Sequence, residues 1–167
     1  WSWGTGTTGA TGQGDGVARS SPTQIGTGSW LQVCADRIAN CSFGIRSDNT
    51  LYSWGANGIG QLGQNNIITC SSPIQIGTSS WIQVAAGSFV AAIRSDGGLF
   101  TWGANGAGQL GQNDTVTRSS PVQVGTSSWT SVSASDYMLA ITNTGLLYSW
   151  GNNSNGQLGQ NNNVSSV

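Results

Sequence analysis

Trp54-Gly55-Ala56-Asn57-Gly58-Ile59-Gly60-Gln61-Leu62-Gly63, Trp102-Gly103-Ala104-Asn105-Gly106-Ala107-Gly108-Gln109-Leu110-Gly111 and Trp150-Gly151-Asn152-Asn153-Ser154-Asn155-Gly156-Gln157-Leu158-Gly159 are one ten-residue pattern written three times. Trp3 opens a fourth, looser copy, and the four leading tryptophans step by 51, 48 and 48 residues. Trp30, Trp81 and Trp129, like Pro22, Pro73 and Pro121, keep the same 51 and 48. A period in this range marks solenoids or propellers, whose units cannot bury their own hydrophobic face and must stack. The chain therefore reads as a single array over 1–167, with repeat units of approximately 3–53, 54–101 and 102–149 and a trailing partial unit 150–167.

Each unit divides into four short strand candidates. In the 54–101 and 102–149 units the first is Ser72–Ile76, matched by Ser120–Val124, where apolar and polar residues alternate around a proline. Trp81–Val84 and Trp129–Val132 form the second, and the polar links Gly77–Ser80 and Gly125–Ser128 have the length that joins a hairpin. The third strand, Phe89–Arg94 or Tyr137–Thr142, precedes a fourth at Leu99–Trp102; Asp96-Gly97 between them is a strong hairpin signal because the tight turn needs positive φ. Four antiparallel strands per period make an all-β chain, a β-propeller with one blade per period and about three blades present.

Composition narrows the chemistry. There is no His, Lys or Glu; positive charge rests on Arg19, Arg37, Arg46, Arg94 and Arg118, negative charge on six Asp, and the net charge is −1. Nucleic acid and anionic lipid both call for clustered Lys and Arg, so neither is expected as a partner. No run approaches the ~18 apolar residues of a membrane-spanning helix, so no membrane insertion is expected. Eight Trp and regularly placed Val, Ile and Leu argue for a folded chain.

The run Leu99-Phe100-Thr101-Trp102-Gly103-Ala104-Asn105-Gly106-Ala107-Gly108-Gln109-Leu110-Gly111, preceded by Ile93-Arg94-Ser95-Asp96-Gly97, resembles the signature of the regulator of chromosome condensation repeat family. That resemblance implies a propeller that typically has seven blades. On this count the chain is part of a ring that further blades complete, from a longer polypeptide or from further copies, as exposed sheet edges demand. The first unit departs from the pattern: Gly9-Ala10-Thr11-Gly12 stands where the others have Gly-Gln-Leu-Gly, which leaves open whether its loop packs in the same way. The third-strand His common in the family is also missing.

Most candidate sites fall into repeat register. Gly4-Thr5-Gly6-Thr7-Thr8-Gly9 fits a dinucleotide fingerprint, but that needs a following helix, and Gly4 and Gly9 align with Gly55 and Gly60. Asp48 and Asp96 share a turn position and read as turn formers. Asp36, Asp114 and Asp136 fall in irregular segments, and Asp15 in the divergent first unit. Trp54, Trp81, Trp102, Trp129 and Trp150, with Leu62, Leu110 and Leu158, read as residues that pack blade on blade rather than as ligand platforms. Trp1 lies outside the register. Sequons at Asn40, Asn113, Asn152 and Asn163 are no more than so Asn-rich a chain yields by chance.

Cys34 and Cys41 flank the one place where a unit gains three residues; a local disulfide and two separate small thiols are both compatible with that spacing. Cys70 occupies the position of Arg19 and Arg118 and reads as a surface residue. Without His there is no base for a nucleophile and only thin ligation for zinc, so no catalytic residue, cofactor or metal site is assigned, and no ligand-binding residue.

These observations point to a non-enzymatic binding or structural module with a protein partner, or further copies or blades of itself, secreted or displayed on a cell or virion surface, its own Asn/Ser/Thr/Gly exterior resisting by neutral hydration. The resemblance implies such repeats in secreted bacterial and phage-encoded proteins as well as nuclear ones. Its alternative is a regulatory propeller of the guanine-nucleotide exchange type acting on a small GTPase, a role in which basic segments and a long specialised loop are expected.

Overall fold

A computed structural model describes residues 1–36 and 40–166, and in them thirteen strands and no helix. The strands are β1 Ser2–Gly4, β2 Arg19–Thr23, β3 Trp30–Ala35, β4 Cys41–Arg46, β5 Leu51–Gly55, β6 Cys70–Gln75, β7 Trp81–Ala86, β8 Phe89–Arg94, β9 Leu99–Gly103, β10 Arg118–Gln123, β11 Trp129–Ala134, β12 Tyr137–Thr142 and β13 Leu147–Gly151. They form four antiparallel meanders: an N-terminal pair β1-β2, a first sheet β3-β4-β5-β6, a second sheet β7-β8-β9-β10 and a third sheet β11-β12-β13. This is a partial β-propeller of about three blades.

The Asp96-Gly97 hairpin forms between β8 and β9, with Gly97 at φ +87° and its N–H donating to Arg94 C=O. The hairpin read across Gly77–Ser80 does not form: β6 pairs with β5, and β7 with β8. Ile76 N–H donates to Leu51 C=O, and Trp81 N–H donates to Asn49 C=O in the β4–β5 turn, both at 2.8 Å. The link thus wraps the end of its own sheet and delivers Trp81 into the next one. Val124 and Trp129 repeat the arrangement on Leu99 and Gly97. Sheets accordingly span 30–75 and 81–123, out of phase with the tryptophan-led sequence units.

Sheets stack through apolar faces. Phe43, Ile45 and Leu51 of the first sheet share a core with Trp81, Val84 and Trp102 of the second. Phe89, Ile93 and Leu99 of the second share one with Trp129, Val132, Met138 and Trp150 of the third. Trp81 meets Phe100 edge-on at 5.4 Å between centroids, and Trp129 meets Tyr148 in the same way at 5.5 Å; such pairs add about 0.5–1.5 kcal/mol beyond burial. The stacking stops at the third sheet, whose Ile141 and Leu147 are exposed although their equivalents in the other two sheets are buried. Trp3 in the N-terminal pair is likewise 62% exposed.

The first strands β3, β7 and β11 lie side by side along the inner edge. Gln32 holds Val84 of the next sheet at both its N–H (3.0 Å) and its C=O (2.9 Å), and Gln83 holds Val132 at both groups (3.1 and 3.2 Å). Leu31, Ile82 and Thr130 are the extra residues of a repeated bulge and line an open cleft of about 600 Å³ beside these glutamines. At the outer edge, β2, β6 and β10 carry Pro22, Pro73 and Pro121, which lack an N–H and block further strand pairing.

Candidate functional site: the motif loops

Because neighbouring strands are antiparallel, the long loops that carry the repeated motif all leave one end of the sheets. Each runs from a third strand to a fourth, as from β9 to β10, and each motif residue has a physical task there. Asn105 is fully buried and is the hub. Its Nδ2 donates to Asp114 C=O, Asp114 Oδ1 and Val116 C=O at 3.0–3.1 Å, while its Oδ1 accepts from Leu110 N–H at 2.9 Å. Asn57 and Asn153 repeat this set on Asn66, Ile68 and Leu62, and on Asn162, Val164 and Leu158. A buried amide with every group satisfied fixes the loop's shape.

The motif Gln closes the tip, Gln109 Oε1 accepting from Ala107 N–H at 2.8 Å. Its main chain joins neighbouring sheets: Trp102 Nε1 donates to Gln61 C=O at 2.8 Å and Trp150 Nε1 to Gln109 C=O at 3.0 Å. Gly63 must be glycine here, since it has φ +71° and a Cβ would stand 3.0 Å from the Trp102 ring nitrogen. Trp54, Leu62, Trp81, Trp102, Leu110, Trp129, Trp150 and Leu158 are all buried. Leu62, Trp81 and Trp102 lie in the core between the first and second sheets, and Leu110, Trp129 and Trp150 in the core between the second and third.

The divergent first loop packs like the others at its backbone. Trp54 Nε1 donates to Ala10 C=O at 3.0 Å, the bond that the motif Gln carbonyl accepts elsewhere, and Ser2 Oγ donates to Thr11 C=O as Ser53 Oγ does to Leu62 C=O. Three differences remain, the first being that Ala10 lacks the side-chain oxygen with which Gln61, Gln109 and Gln157 close the other tips. Gly6 stands in the place of the hub Asn, and a Cβ there would lie 2.2 Å from Val17 O, so the loop closes directly on the bare backbone. Thr11 stands in the place of Leu, and its Oγ1 is buried without a hydrogen-bond partner.

The acidic residues separate into two sets. Asp48 accepts from Thr50 N–H, and Asp96 pairs with Arg94 and accepts from Gly98 N–H, so both shape turns at the far end of the sheets. The Arg94 guanidinium and that N–H hold the Asp96 carboxyl at about 2. Asp15 and Asp114 share a repeat position that the sequence reading overlooked. Each accepts the N–H of the residue two further on, Val17 or Val116, and each pairs with an arginine four further on, Arg19 at 2.8 Å or Arg118 at 2.6 Å. The 51- and 48-residue steps between them, with an Arg at the same offset, were the available signal. Asp36 follows β3 and Asp136 lies between β11 and β12, and with Ser88 and Ser135 they line a cleft of about 270 Å³.

Cys34 and Cys41 are free thiols, so the disulfide reading is not realised in the structure; residues 37–39 of the enlarged loop lie outside the described residues. Burial, with the Asp36 charge, pushes the Cys34 thiol up to about 12 and raises Cys41 as well. Both stay protonated and unreactive at neutral pH. Cys70 is half-buried, and its Sγ donates to Ser72 C=O in an exposed hydrogen bond. Among the described residues no group of three or more Asp and Cys side chains gathers in a way that could hold a metal ion.

Comparison with known proteins bears on the same residues. The sequence profile of the family described as Regulator of chromosome condensation (RCC1) repeat matches residues 48–93 and 96–141, and a second profile of that description matches 129–157. Protein RCC2 homolog of Danio rerio is 33% identical over 92 residues, 53% of this chain and 19% of that protein. Human WBSCR16 shares the fold with a TM-score of 0.84 at 24% identity, over 98% of this chain and 46% of that one. A Saccharomyces cerevisiae structure, Prp20p, titled for its binding to Gsp1p and histones, gives 0.75 at 21% identity over 96% of this chain and 42% of its own. The chain thus spans less than half the length of each of these proteins.

Proposed function

The chain belongs to the regulator of chromosome condensation (RCC1) repeat family, and from that premise we propose that it is a non-enzymatic propeller module that binds a protein partner at the end carrying its motif loops. The observation that carries this reading is the closure of the sheet edges together with the rigidity of the loops. Outer strands are blocked by Pro22, Pro73 and Pro121, and inner strands are joined by Gln32 and Gln83. Loops held by fully bonded buried amides present a preformed surface, and preformed surfaces lose little entropy on binding. With five Arg, no Lys and a net charge of −1, a protein suits this surface better than nucleic acid.

We place the module outside the cell or on a particle surface. The support is compositional: a chain rich in Asn, Ser, Thr and Gly with 7% charged residues. Fractionation of the source with peptide detection by mass spectrometry tests this. Recovery from the supernatant or purified particles is expected, and recovery from the cytosolic or nuclear fraction overturns the placement. A second reading is favoured by the likeness to Prp20p, namely nucleotide exchange on a small GTPase. Release of fluorescent GDP from Gsp1p, measured with and without the chain, separates the two: unchanged release is expected, and acceleration replaces the binding-module reading.

A further inference from the structure

Val17, Ile68, Val116 and Val164 occupy one repeat position, stepping by 51, 48 and 48 residues, and all four are exposed, at 57, 72, 57 and 71%. The residue just before varies freely, as Gly16, Ile67, Thr115 and Asn163. Each of the four aliphatic residues is fixed at its backbone. Its N–H donates to the Asx side chain two residues earlier, Asp15, Asn66, Asp114 or Asn162. In three of them the C=O accepts from the buried hub Asn, and Val17 C=O accepts instead from Arg19.

Backbone preference does not account for the aliphatic side chains. At the opposite end of the sheets, another exposed position that recurs in repeat register, Thr27, Thr78 and Thr126, uses threonine, which is β-branched but polar. Isolated exposed aliphatics need no explanation, but a rigid row of them at the same place in successive units does.

Charge beside the row says what kind of partner it fits. The position two before is Asp, Asn, Asp, Asn, and the position two after is Arg19, Cys70, Arg118, Ser166. Acid and base are therefore present together, as the ion pairs Asp15–Arg19 and Asp114–Arg118, or absent together. Every unit is neutral beside its aliphatic residue. We propose that this row is the contact surface for an extended, uncharged, aliphatic-bearing segment of a protein partner running across the motif loops. The inference rests on the reading of the chain as a protein-binding module and names the surface.

Panning a phage-displayed library of random linear peptides on the chain tests it, with the fourfold variant V17T/I68T/V116T/V164T as control. Threonine keeps the β-branch and leaves the backbone hydrogen bonds in place, so the variant's circular dichroism and melting are expected to match the parent. Enriched peptides are expected to be uncharged and aliphatic-rich, to bind the variant about tenfold or more weakly, and to bind equally well in low and high salt. Charged or salt-sensitive peptides, equal binding to parent and variant, or no enrichment overturn the proposal. Equal binding leaves the module a protein binder through another surface, whereas accelerated GDP release removes that reading itself. Should the fourfold variant not fold, I68T/V116T carries the same comparison.

Discussion

Thr11 is one of the residues at which the first repeat parts from the other three. Its equivalents Leu62, Leu110 and Leu158 fill the core, while Thr11 brings a hydroxyl that is buried without a partner. Replacing it by isosteric valine removes the unsatisfied group without changing volume. Thr11→Val is therefore expected to stabilise the chain by about 1 kcal/mol, read as a rise in the denaturation midpoint at unchanged slope; an unchanged or lower midpoint contradicts the account. At this scale the sequence showed which residues repeat but not what they do. Asn105 is a repeated motif residue whose task is not legible in the sequence, because its partners, main-chain groups of Asp114, Val116 and Leu110 and the Asp114 carboxylate, meet it only when the loop closes. Asp15 and Asp114 were hidden for a different reason: two of the four units substitute Asn66 and Asn162, which accept the same N–H without charge.

The connection between strands was the least legible element. A four-residue polar link after an alternating strand fits a hairpin or a passage to the next sheet equally well, and only the bonds from Ile76 to Leu51 and from Trp81 to Asn49 select the second. The glutamine clamps have the same character. Nothing in the sequence marks Gln83 within its short strand, yet it bonds both main-chain groups of Val132, 49 residues away. Removing it leaves those groups exposed at the seam between the second and third sheets. Gln83→Ala is expected to cost about 1–2 kcal/mol and to speed hydrogen exchange of the Val132 amide selectively, leaving the amides of the first sheet protected. Uniform loss of protection across all sheets would refute a local clamp. Ser131 stands at the next equivalent position and is too short to repeat the reach.

Across the whole molecule, acid sensitivity follows from which groups titrate. Asp15, Asp48, Asp96 and Asp114 all sit below the ordinary carboxylate value, and with no His or Glu the chain lacks the side chains that usually titrate just above them. A depressed folded value contributes stability that is present above the unfolded value and is lost as pH falls through the folded one. For Asp96 that window runs from 3.8 down to about 2. The thermal midpoint is expected to stay level from pH 8 to 5 and to fall between pH 4 and 2, with Asp96→Asn reducing the fall; a decline already between pH 7 and 5 contradicts this.

The sequence by itself determined the all-β class, the propeller repeat and the family, because periodicity is a property of order along the chain and a stacked array must repeat its apolar face. Tertiary structure alone decided where the repeat is cut into sheets, that Gly6 can replace a hub asparagine by letting the backbone close on it, and which repeated residues face solvent. Burial and hydrogen bonding join residues dozens of positions apart. Val116 is exposed, and that exposure is set only when the loop that carries it is folded.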